Sequence, residues 1–191
     1  MNIAGLLLAA GRGRRFDPAG ERNKLLQVLP GGEPVAGASA RALLAVLPRV
    51  IAVVRPGDTA TTALLGALGC EIAVCEDAGS GMAASLVCGV RAAQDAQGWL
   101  VALADMPYVQ PSTIAALVRE VAQGALIAAP VHAGRRGNPV AFGRAHLHGL
   151  LALEGDQGAR GVLKNNIVNE LAVDDPGILQ DIDTPSDIHE K

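Results

Sequence analysis

The feature that most constrains the fold is an uninterrupted apolar run, residues 3–10, which ends directly in the glycine- and arginine-rich stretch 11–15. Because the run does not alternate between apolar and polar residues, it predicts a strand that is buried on both faces. Residues 99–104 form a second run of this kind, which ends in Asp105. Strands buried on both faces are typical of parallel sheets covered by helices.

Predicted strands and helices alternate along the whole chain. Further strands are predicted at 50–54, 72–75, 126–131, 138–142 and 168–173. Helices are predicted at 34–47, 58–68, 82–94, 111–123, 144–153 and 158–165, with a last one capped by Thr184 and Asp187. The alternation predicts an α/β fold with a doubly wound, mostly parallel sheet in three layers. No linker divides it, so we expect one domain over residues 1–191. Ligands in such sheets bind at the carboxyl ends of the strands, here after Ala10 and at Asp105.

Composition excludes several classes of protein. Half of the 191 residues are hydrophobic and 18% are charged, which is too apolar for a disordered chain. The net charge of −3 and an aromatic content of 2% argue against a nucleic-acid surface. The early apolar run is too short to span a membrane, so we expect no membrane partner. Cys70, Cys75 and Cys88 form no CxxC pair, which favours a reduced, cytoplasmic protein.

Basic residues are concentrated in one loop of this acidic chain. Within thirteen positions lie Arg12, Arg14, Arg15, Arg22 and Lys24. Small residues let backbone N–H groups approach a phosphate, and arginines neutralise its charge, so this loop suits a small anionic ligand. The alternative is a solvated loop with spare charge. The loop is not a P-loop, since no GxxxxGK[ST] occurs.

Acidic residues mark two other places. A carboxylate at Asp105, at the end of an apolar strand, needs a cationic partner, for which Mg²⁺ is well suited. Asp105 could otherwise cap the turn that follows. Asp181 and Asp183 stand two residues apart, so in an extended segment both face one site. Asp183 could equally be a turn residue before Thr184.

Taken together and in order, these motifs resemble the MobA-like nucleotidyltransferase family with its GT-A-like Rossmann fold, and within it the molybdenum cofactor cytidylyltransferases. The resemblance rests on LAAGRGRR at 8–15 followed by Lys24, GMAASL at 81–86, LADMP at 103–107, RGNPV at 136–140, GDQGAR at 155–160 and DIDTP at 181–185. It covers almost the whole chain.

The resemblance implies transfer of CMP from CTP to the terminal phosphate of molybdenum-bound molybdopterin, with release of pyrophosphate. It implies catalytic roles for Arg15, Lys24 and Asp105, and Mg²⁺ as the cofactor, held by Asp105, Asp183 and Asp181. Nucleotide-binding positions would be Leu8, Ala9, Ala10, Gly11, Gly13, Asp77, Gly79 and Ser85. Acceptor-binding positions would be Asn138 and Pro139. A molybdoenzyme that receives the product is the implied protein partner.

Two features bear on the choice of nucleotide and on the class of protein. Ala10 gives LAAG rather than the LAGG of the guanylyl branch, and with Ser85 it favours CTP. The alternatives are a GTP-using or sugar-phosphate nucleotidyltransferase and a non-catalytic cofactor-binding or chaperone module. A NAD-binding protein is disfavoured by Phe16, which stands where a third glycine is needed. The spacing from Arg15 to Lys24 is longer than in the family pattern, so the residues between them must bulge outward for Lys24 to reach the phosphates.

Overall fold

The computed structural model describes residues 2–19, 21–156 and 158–188. Gln157 of the GDQGAR motif therefore lies outside the described residues, as do Gly20 and both ends of the predicted domain. The strands are β1 (Ile3–Leu8), β2 (Val50–Val54), β3 (Glu71–Val74), β4 (Gly98–Leu103), β5 (Ile127–His132), β6 (Arg135–Arg136), β7 (Val140–Gly143) and β8 (Asn169–Ala172). The helices are α1 (Val35–Leu44), α2 (Thr59–Ala67), α3 (Met82–Ala92), α4 (Pro111–Ala122), α5 (Leu147–Leu151) and α6 (Arg160–Lys164).

All eight strands form one sheet in the order β3-β2-β1-β4-β7-β5-β6, with β8 also paired to β5. Strands β1 to β4 pair in parallel, and β5 and β8 pair in parallel. Strand β7 runs antiparallel to both β4 and β5, and β6 runs antiparallel to β5. The mostly parallel single-domain α/β fold is thus confirmed, with β7 and β6 as the two reversed strands.

The sheet lies between two hydrophobic cores, which makes the three layers. Along β1, Ile3 and Leu7 pack into the core beneath α1, α2 and α4, whereas Ala4 and Leu6 pack into the core beneath α3 and α5. Trp99 is fully buried in the second core, and its indole N–H donates to the carbonyl of Ala93 at 3.0 Å. Because both faces of β1 are covered, its apolar run does not alternate.

Register between the central strands decides where the site lies. Leu8 at the end of β1 pairs with Leu103 at the end of β4. The loop after Ala10 and the residue Asp105 therefore leave the sheet side by side, as the rule for parallel sheets predicts.

Some element bounds differ from the prediction. The helix predicted at 144–153 is a 3-10 turn over Arg144–His146 followed by the shorter α5. The strand predicted from 138 begins only at Val140, because the Asn138 N–H donates to Ile178 across the fold and Pro139 has no N–H. A 3-10 helix over Lys24–Leu26 and the two-residue β6 were not predicted.

The segment around Asp175, near the carboxyl end of the chain, is hydrogen-bonded to the residues that follow β4. The buried carboxylate of Asp175 accepts hydrogen bonds from the N–H of Gln110 at 2.9 Å, the hydroxyl of Thr113 at 2.7 Å and the N–H of Gly177 at 3.0 Å. A Cβ added to Gly177 would lie 2.1 Å from the carbonyl oxygen of Tyr108, so only glycine fits there. This packing brings residues 181–183 to the end of β4.

None of the helices in the described part of the chain is long and apolar enough to cross a membrane.

Candidate active site

A cavity of about 490 Å³ opens at the carboxyl ends of β1 and β4. This volume lies in the range of small-molecule sites, roughly 300–1,000 Å³. The predicted site residues that line it are Leu8, Ala10, Gly11, Gly13, Arg15, Lys24, Gly79, Ser85, Asp105 and Asp183. Residues predicted on separate grounds, from the basic loop to the acidic carboxyl-terminal segment, thus share one cavity.

The basic loop forms a compact turn at one side of this cavity. Gly13 has a φ of +59°, and its carbonyl accepts hydrogen bonds from the N–H groups of Phe16 and Asp17 at 3.0 and 3.1 Å. The side chain of Lys24 passes beneath Gly13, 3.4 Å from where a Cβ would stand. The positive φ therefore favours glycine at this position, and the turn covers the stem of the lysine.

Between Arg15 and Lys24, the described residues 17–19 and 21–23 do not line the cavity, as an outward bulge requires. The carboxylate of Asp17 accepts from the N–H groups of Ala19 at 3.2 Å and Arg22 at 2.6 Å, which closes the bulge on itself. The N–H of Arg22 is also the largest cause of the lowered pKa of Asp17. Lys24 then enters the cavity from its own short 3-10 helix, capped by the side chain of Asn23.

Two cations and two carboxylates meet at the end of β4. The ammonium of Lys24 lies 2.6 Å from Oδ2 of Asp105 and 3.5 Å from Oδ1 of Asp183, and it donates to the carbonyl of Ile182 at 3.0 Å. Arg15 contacts the other oxygen of Asp183 at 2.7 Å. The Lys24 side chain is only 11% exposed, whereas that of Arg15 is 78% exposed. Asp105 thus has the cationic partner that its position requires.

Asp183 is held in place from behind by Asp187. One carboxylate oxygen of Asp187 accepts from the N–H of Asp183 at 2.8 Å and from the N–H and hydroxyl of Thr184 at 2.6 and 3.0 Å. The predicted cap is therefore present, although the helix it begins is a 3-10 turn over Pro185–Ile188. Ile182 adds a backbone hydrogen bond to the carbonyl of Asp105 at 2.8 Å. The backbone on both sides of Asp183 is consequently fixed, by Asp187 on one side and by Asp105 on the other.

This arrangement predicts how stability responds to acid. The N–H of Thr184, followed by that of Asp183, lowers the pKa of Asp187 below its ordinary value. Such a group stabilises the fold above the ordinary carboxyl pKa, and its contribution is lost as the pH falls through the lowered value. We expect Asp187→Ala to lower the free energy of unfolding by about 1 kcal/mol at pH 7, the usual loss when a capping side chain is removed. Urea unfolding at pH 7 and pH 3 tests this: the difference from wild type should shrink at pH 3, and a constant difference would contradict it.

Asp181 stands at the rim of the same acidic group. Desolvation, followed by the negative charge of Asp183 and a hydrogen bond with it, raises the pKa of Asp181. Asp181 does not line the cavity. The predicted pair therefore consists of one carboxylate inside the cavity and one outside it.

The donor set at the end of β4 fits a hard divalent cation. The ammonium of Lys24 is held there by oxygen atoms alone, from Asp105, Asp183 and the carbonyl of Ile182. Over residues 2–19, 21–156 and 158–188, no group of three or more histidine, cysteine, aspartate or glutamate side chains is gathered as a ready metal site. Mg²⁺ ordinarily takes only one or two carboxylates and completes its shell with water and substrate phosphates, so Asp105 and Asp183 suffice.

The start of α3 also lines the cavity, through Met82 and Ser85. Ser85 is only 7% exposed, and no hydrogen bond of its hydroxyl occurs among the described residues. Gly81, with a φ of +127°, leaves room for the loop before α6: a Cβ there would lie 2.4 Å from Oδ1 of Asp156. The carbonyl of Gly155 accepts from the N–H of Ala83 at 3.1 Å. This part of the cavity also contains charged groups, since Arg12 and Asp156 both line the cavity and lie beside Gly79 and Gly81.

Several predicted residues lie away from the cavity. Ala9 is buried in the core beneath α1, and its N–H pairs with the carbonyl of Val53. Asp77 is exposed beside the cavity, whereas its neighbours Ala78 and Gly79 line it. Asn138 and Pro139 line a separate small cavity beside Met106. Asn138 and Pro139 therefore do not line the larger cavity, although Leu103 lines both cavities.

Sequence reasoning missed other residues that line the cavity. They are Arg12, Arg14, Phe16, Leu25, Ala78, Gly81, Met82, Leu103 and Asp156. Arg12 and Arg14 belong to the basic cluster, and Asp156 belongs to the GDQGAR motif. The sequence therefore singled out both segments, but these three residues had no individual role assigned. Phe16 packs beneath Arg22, whose guanidinium carbon lies 5.7 Å from the centre of the phenyl ring.

Comparison with known proteins gives concordant matches. A crystal structure of Rv0371c from Mycobacterium tuberculosis H37Rv is 28% identical, with a TM-score of 0.84 over 99% of this chain and 96% of that chain. A second Rv0371c structure, a complex with manganese, is 27% identical, with a TM-score of 0.80 over 99% and 97%. A nucleotidyl transferase from Methanothermobacter thermautotroptrophicus is 25% identical, with a TM-score of 0.81 over 97% and 93%.

A more distant neighbour shares the fold. It is the molybdopterin-guanine dinucleotide biosynthesis protein A from Archaeoglobus fulgidus, which is 20% identical, with a TM-score of 0.70 over 97% of this chain and 95% of that chain. No curated protein sequence matches the chain significantly. Residues 5–171 match the family described as the MobA-like NTP transferase domain. Because this match spans most of the chain, the protein is a nucleotidyltransferase of the MobA-like NTP transferase family.

Proposed function

We propose that the protein transfers CMP from CTP to the terminal phosphate of molybdenum-bound molybdopterin, giving the cytosine dinucleotide form and pyrophosphate. The observation that carries the proposal is the meeting of Arg15, Lys24, Asp105 and Asp183 at one end of a nucleotide-sized cavity. That end combines cations for a triphosphate with oxygen ligands for a divalent cation. A binding module or chaperone has no need of such a combination.

In this proposal the triphosphate lies along the basic loop. The exposed guanidinium of Arg15 binds the departing pyrophosphate, and Lys24 binds a phosphate oxygen from below the turn at Gly13. Asp105 and Asp183 hold a divalent cation, which when bound neutralises negative charge on the phosphates. The manganese complex of Rv0371c supports a divalent metal in the family.

The proposed reaction requires no covalent bond between the protein and the substrate. An oxygen of the acceptor's terminal phosphate attacks the α-phosphorus of CTP, the bond to the β-phosphate oxygen breaks, and pyrophosphate leaves with that electron pair. The attacking phosphate is ionised at neutral pH, because its second pKa is about 6, so no general base is required. Positioning and charge neutralisation therefore supply most of the rate enhancement.

The pyrimidine end of CTP is assigned to the region of Ser85. Ala10 and Ser85 line the cavity there, and the loop at Gly79 offers backbone groups. In this proposal the base is recognised by hydrogen bonds from these groups rather than by stacking.

A nucleotide panel tests the class of protein and the base together. A ligand that binds the native state raises Tm, so CTP with Mg²⁺ should raise Tm more than GTP, UTP or ATP at equal concentration. A larger shift with GTP would contradict the cytidylyl assignment and favour a guanylyl transferase. Release of pyrophosphate on mixing CTP, Mg²⁺ and the molybdopterin acceptor tests the transfer. A shift with CTP but no release with this acceptor would instead favour a sugar-phosphate or other acceptor.

Replacing Ser85 by alanine should weaken CTP binding about three- to tenfold, the equivalent of one hydrogen bond. Since no hydrogen bond of this hydroxyl occurs among the described residues, Tm without ligand should stay near that of wild type. Isothermal titration with CTP measures the effect, and Ser112→Ala, at an exposed serine on α4, is the matched control. Equal CTP affinity in Ser85→Ala and wild type would contradict the assignment. Roles for Asn138 and Pro139 in acceptor binding, and contact with a molybdoenzyme, stay predictions.

A further inference from the structure

The ammonium of Lys24 occupies the oxygen-lined position in which a divalent cation is expected. It is held by Oδ2 of Asp105 at 2.6 Å, by the carbonyl of Ile182 at 3.0 Å and by Oδ1 of Asp183 at 3.5 Å. The side chain is only 11% exposed, and its stem is covered by the turn at Gly13. Lys24 is therefore held in place among the carboxylates and is not a mobile surface cation.

Charge at this position is already balanced within the protein. Lys24 lies against both Asp105 and Asp183, and Arg15 contacts the second oxygen of Asp183 at 2.7 Å. Two positive groups thus offset two carboxylates, with Asp181 at the rim. A divalent cation that enters while Lys24 is in place meets a nearly neutral set of ligands and a repelling ammonium a few ångströms away, so its affinity is low.

A nucleoside triphosphate changes this balance. Its phosphates are the stronger anionic partner for Lys24 and Arg15, and both residues line the cavity. When they turn to the phosphates, Asp105 and Asp183 regain their negative charge, and the divalent cation gains both carboxylates and phosphate oxygens as ligands. The two ligands then assist each other's binding.

We propose that Lys24 is an internal counter-ion that couples metal binding to nucleotide binding: it holds the Asp105 and Asp183 carboxylates until a triphosphate draws it away. This inference rests on the proposed function insofar as that function supplies a nucleotide and a divalent metal. It adds that the metal binds weakly without nucleotide, so metal and nucleotide enter together. Lys24 thereby acts as a positioning residue for the metal ligands before it contacts a phosphate.

Binding of Mn²⁺ alone, without nucleotide, is the direct test. Electron paramagnetic resonance titration of free Mn²⁺ should show weak binding to wild type. Lys24→Gln removes the charge but keeps a hydrogen-bond donor, and should bind Mn²⁺ about tenfold more tightly or better, as expected for removal of one nearby positive charge. Lys24→Arg keeps the charge and should stay weak, as should Lys164→Gln, an exposed control on α6. Mn²⁺ affinity that is unchanged or lower in Lys24→Gln would overturn the proposal.

Coupling supplies a second readout. In wild type, saturating Mn²⁺ should raise the affinity for a non-hydrolysable CTP analogue much more than it does in Lys24→Gln, because the same counter-ion links both sites. Chelation of Mn²⁺ by the analogue is common to both proteins, so their difference isolates the contribution of Lys24. An equal enhancement in both would overturn the coupling.

Failure of this inference can be distinguished from failure of the proposed function. Tight Mn²⁺ binding by Lys24→Gln, together with no preference for CTP in the nucleotide panel, would support the counter-ion and reject the cytidylyl assignment. A preference for CTP in the nucleotide panel, together with unchanged Mn²⁺ affinity in Lys24→Gln, would support the cytidylyl assignment and reject the counter-ion.

Discussion

Replacing Asp105 with asparagine is expected to lower kcat by about 10²- to 10³-fold, the usual cost of losing a group that stabilises transition-state charge. Asparagine keeps the size of the side chain but removes a charged ligand from the proposed divalent cation. It also removes the closest ionic partner of Lys24, at 2.6 Å. Pyrophosphate release under saturating CTP, Mg²⁺ and acceptor measures the effect, and KM for CTP should change much less than kcat.

The control for this experiment is Asp174→Asn, which removes an exposed carboxylate outside the cavity. It should release pyrophosphate at the wild-type rate. Circular dichroism and thermal unfolding should show that Asp105→Asn retains the fold, because β4 and its neighbours are held by backbone pairing that the substitution does not touch. Near-normal turnover by a folded Asp105→Asn protein would reject the metal-binding role of this residue.

Replacing Asp175 with alanine should have the largest effect on stability. Its carboxylate, in a residue only 1% exposed, accepts three hydrogen bonds, from the N–H groups of Gln110 and Gly177 and the hydroxyl of Thr113. The substitution leaves these donors without their acceptor in a buried place, where each costs about 1–3 kcal/mol. Since the donors can partly rearrange, we expect a loss of about 3–5 kcal/mol in the free energy of unfolding. Urea unfolding monitored by circular dichroism measures it.

The neighbouring Asp174 again provides the matched control. Its side chain is exposed, so Asp174→Ala should change the free energy of unfolding by less than about 0.5 kcal/mol. Asp175→Ala should also reduce activity at temperatures where it remains folded, because the segment that carries Asp183 packs against the start of α4 through Asp175. A loss below about 1 kcal/mol in Asp175→Ala would mean that these hydrogen bonds contribute little net stability.

Hydrophobic patterning identified most of the sheet, because each central strand is a continuous apolar run in the sequence. The apolar runs that became β1 and β4 are buried on both faces, so they do not alternate, and such a pattern is hard to mistake for a surface strand. The late start of β7 was not predictable, because it follows from a hydrogen bond between Asn138 and Ile178, forty residues apart in the numbering. Nor could local patterns show that β7 is reversed, since direction depends on the partner strands.

For the site, sequence motifs indicated the participants but not their contacts. The basic loop and Asp105 stood out because each follows a buried strand, and register alone then makes them neighbours. The ion pairs of Lys24 could not be inferred, because they depend on how residues 181–183 are tied to the end of β4. Ala9 shows the limit of motif-based assignment: adjacent positions in an extended motif point to opposite sides of the backbone, so only some of them reach the cavity.

The bulge that Asp17 closes has a consequence for how chains of this kind are detected. The described residues 17–19 and 21–23 do not line the cavity, whereas Arg15 follows the turn at Gly13 and Lys24 begins its own 3-10 helix. We therefore expect insertions at this place to leave the contacts of Arg15 and Lys24 in the cavity unchanged. A sequence signature with a fixed gap would overlook such proteins, whereas one that lets the gap vary between the glycine turn and the lysine would retrieve them.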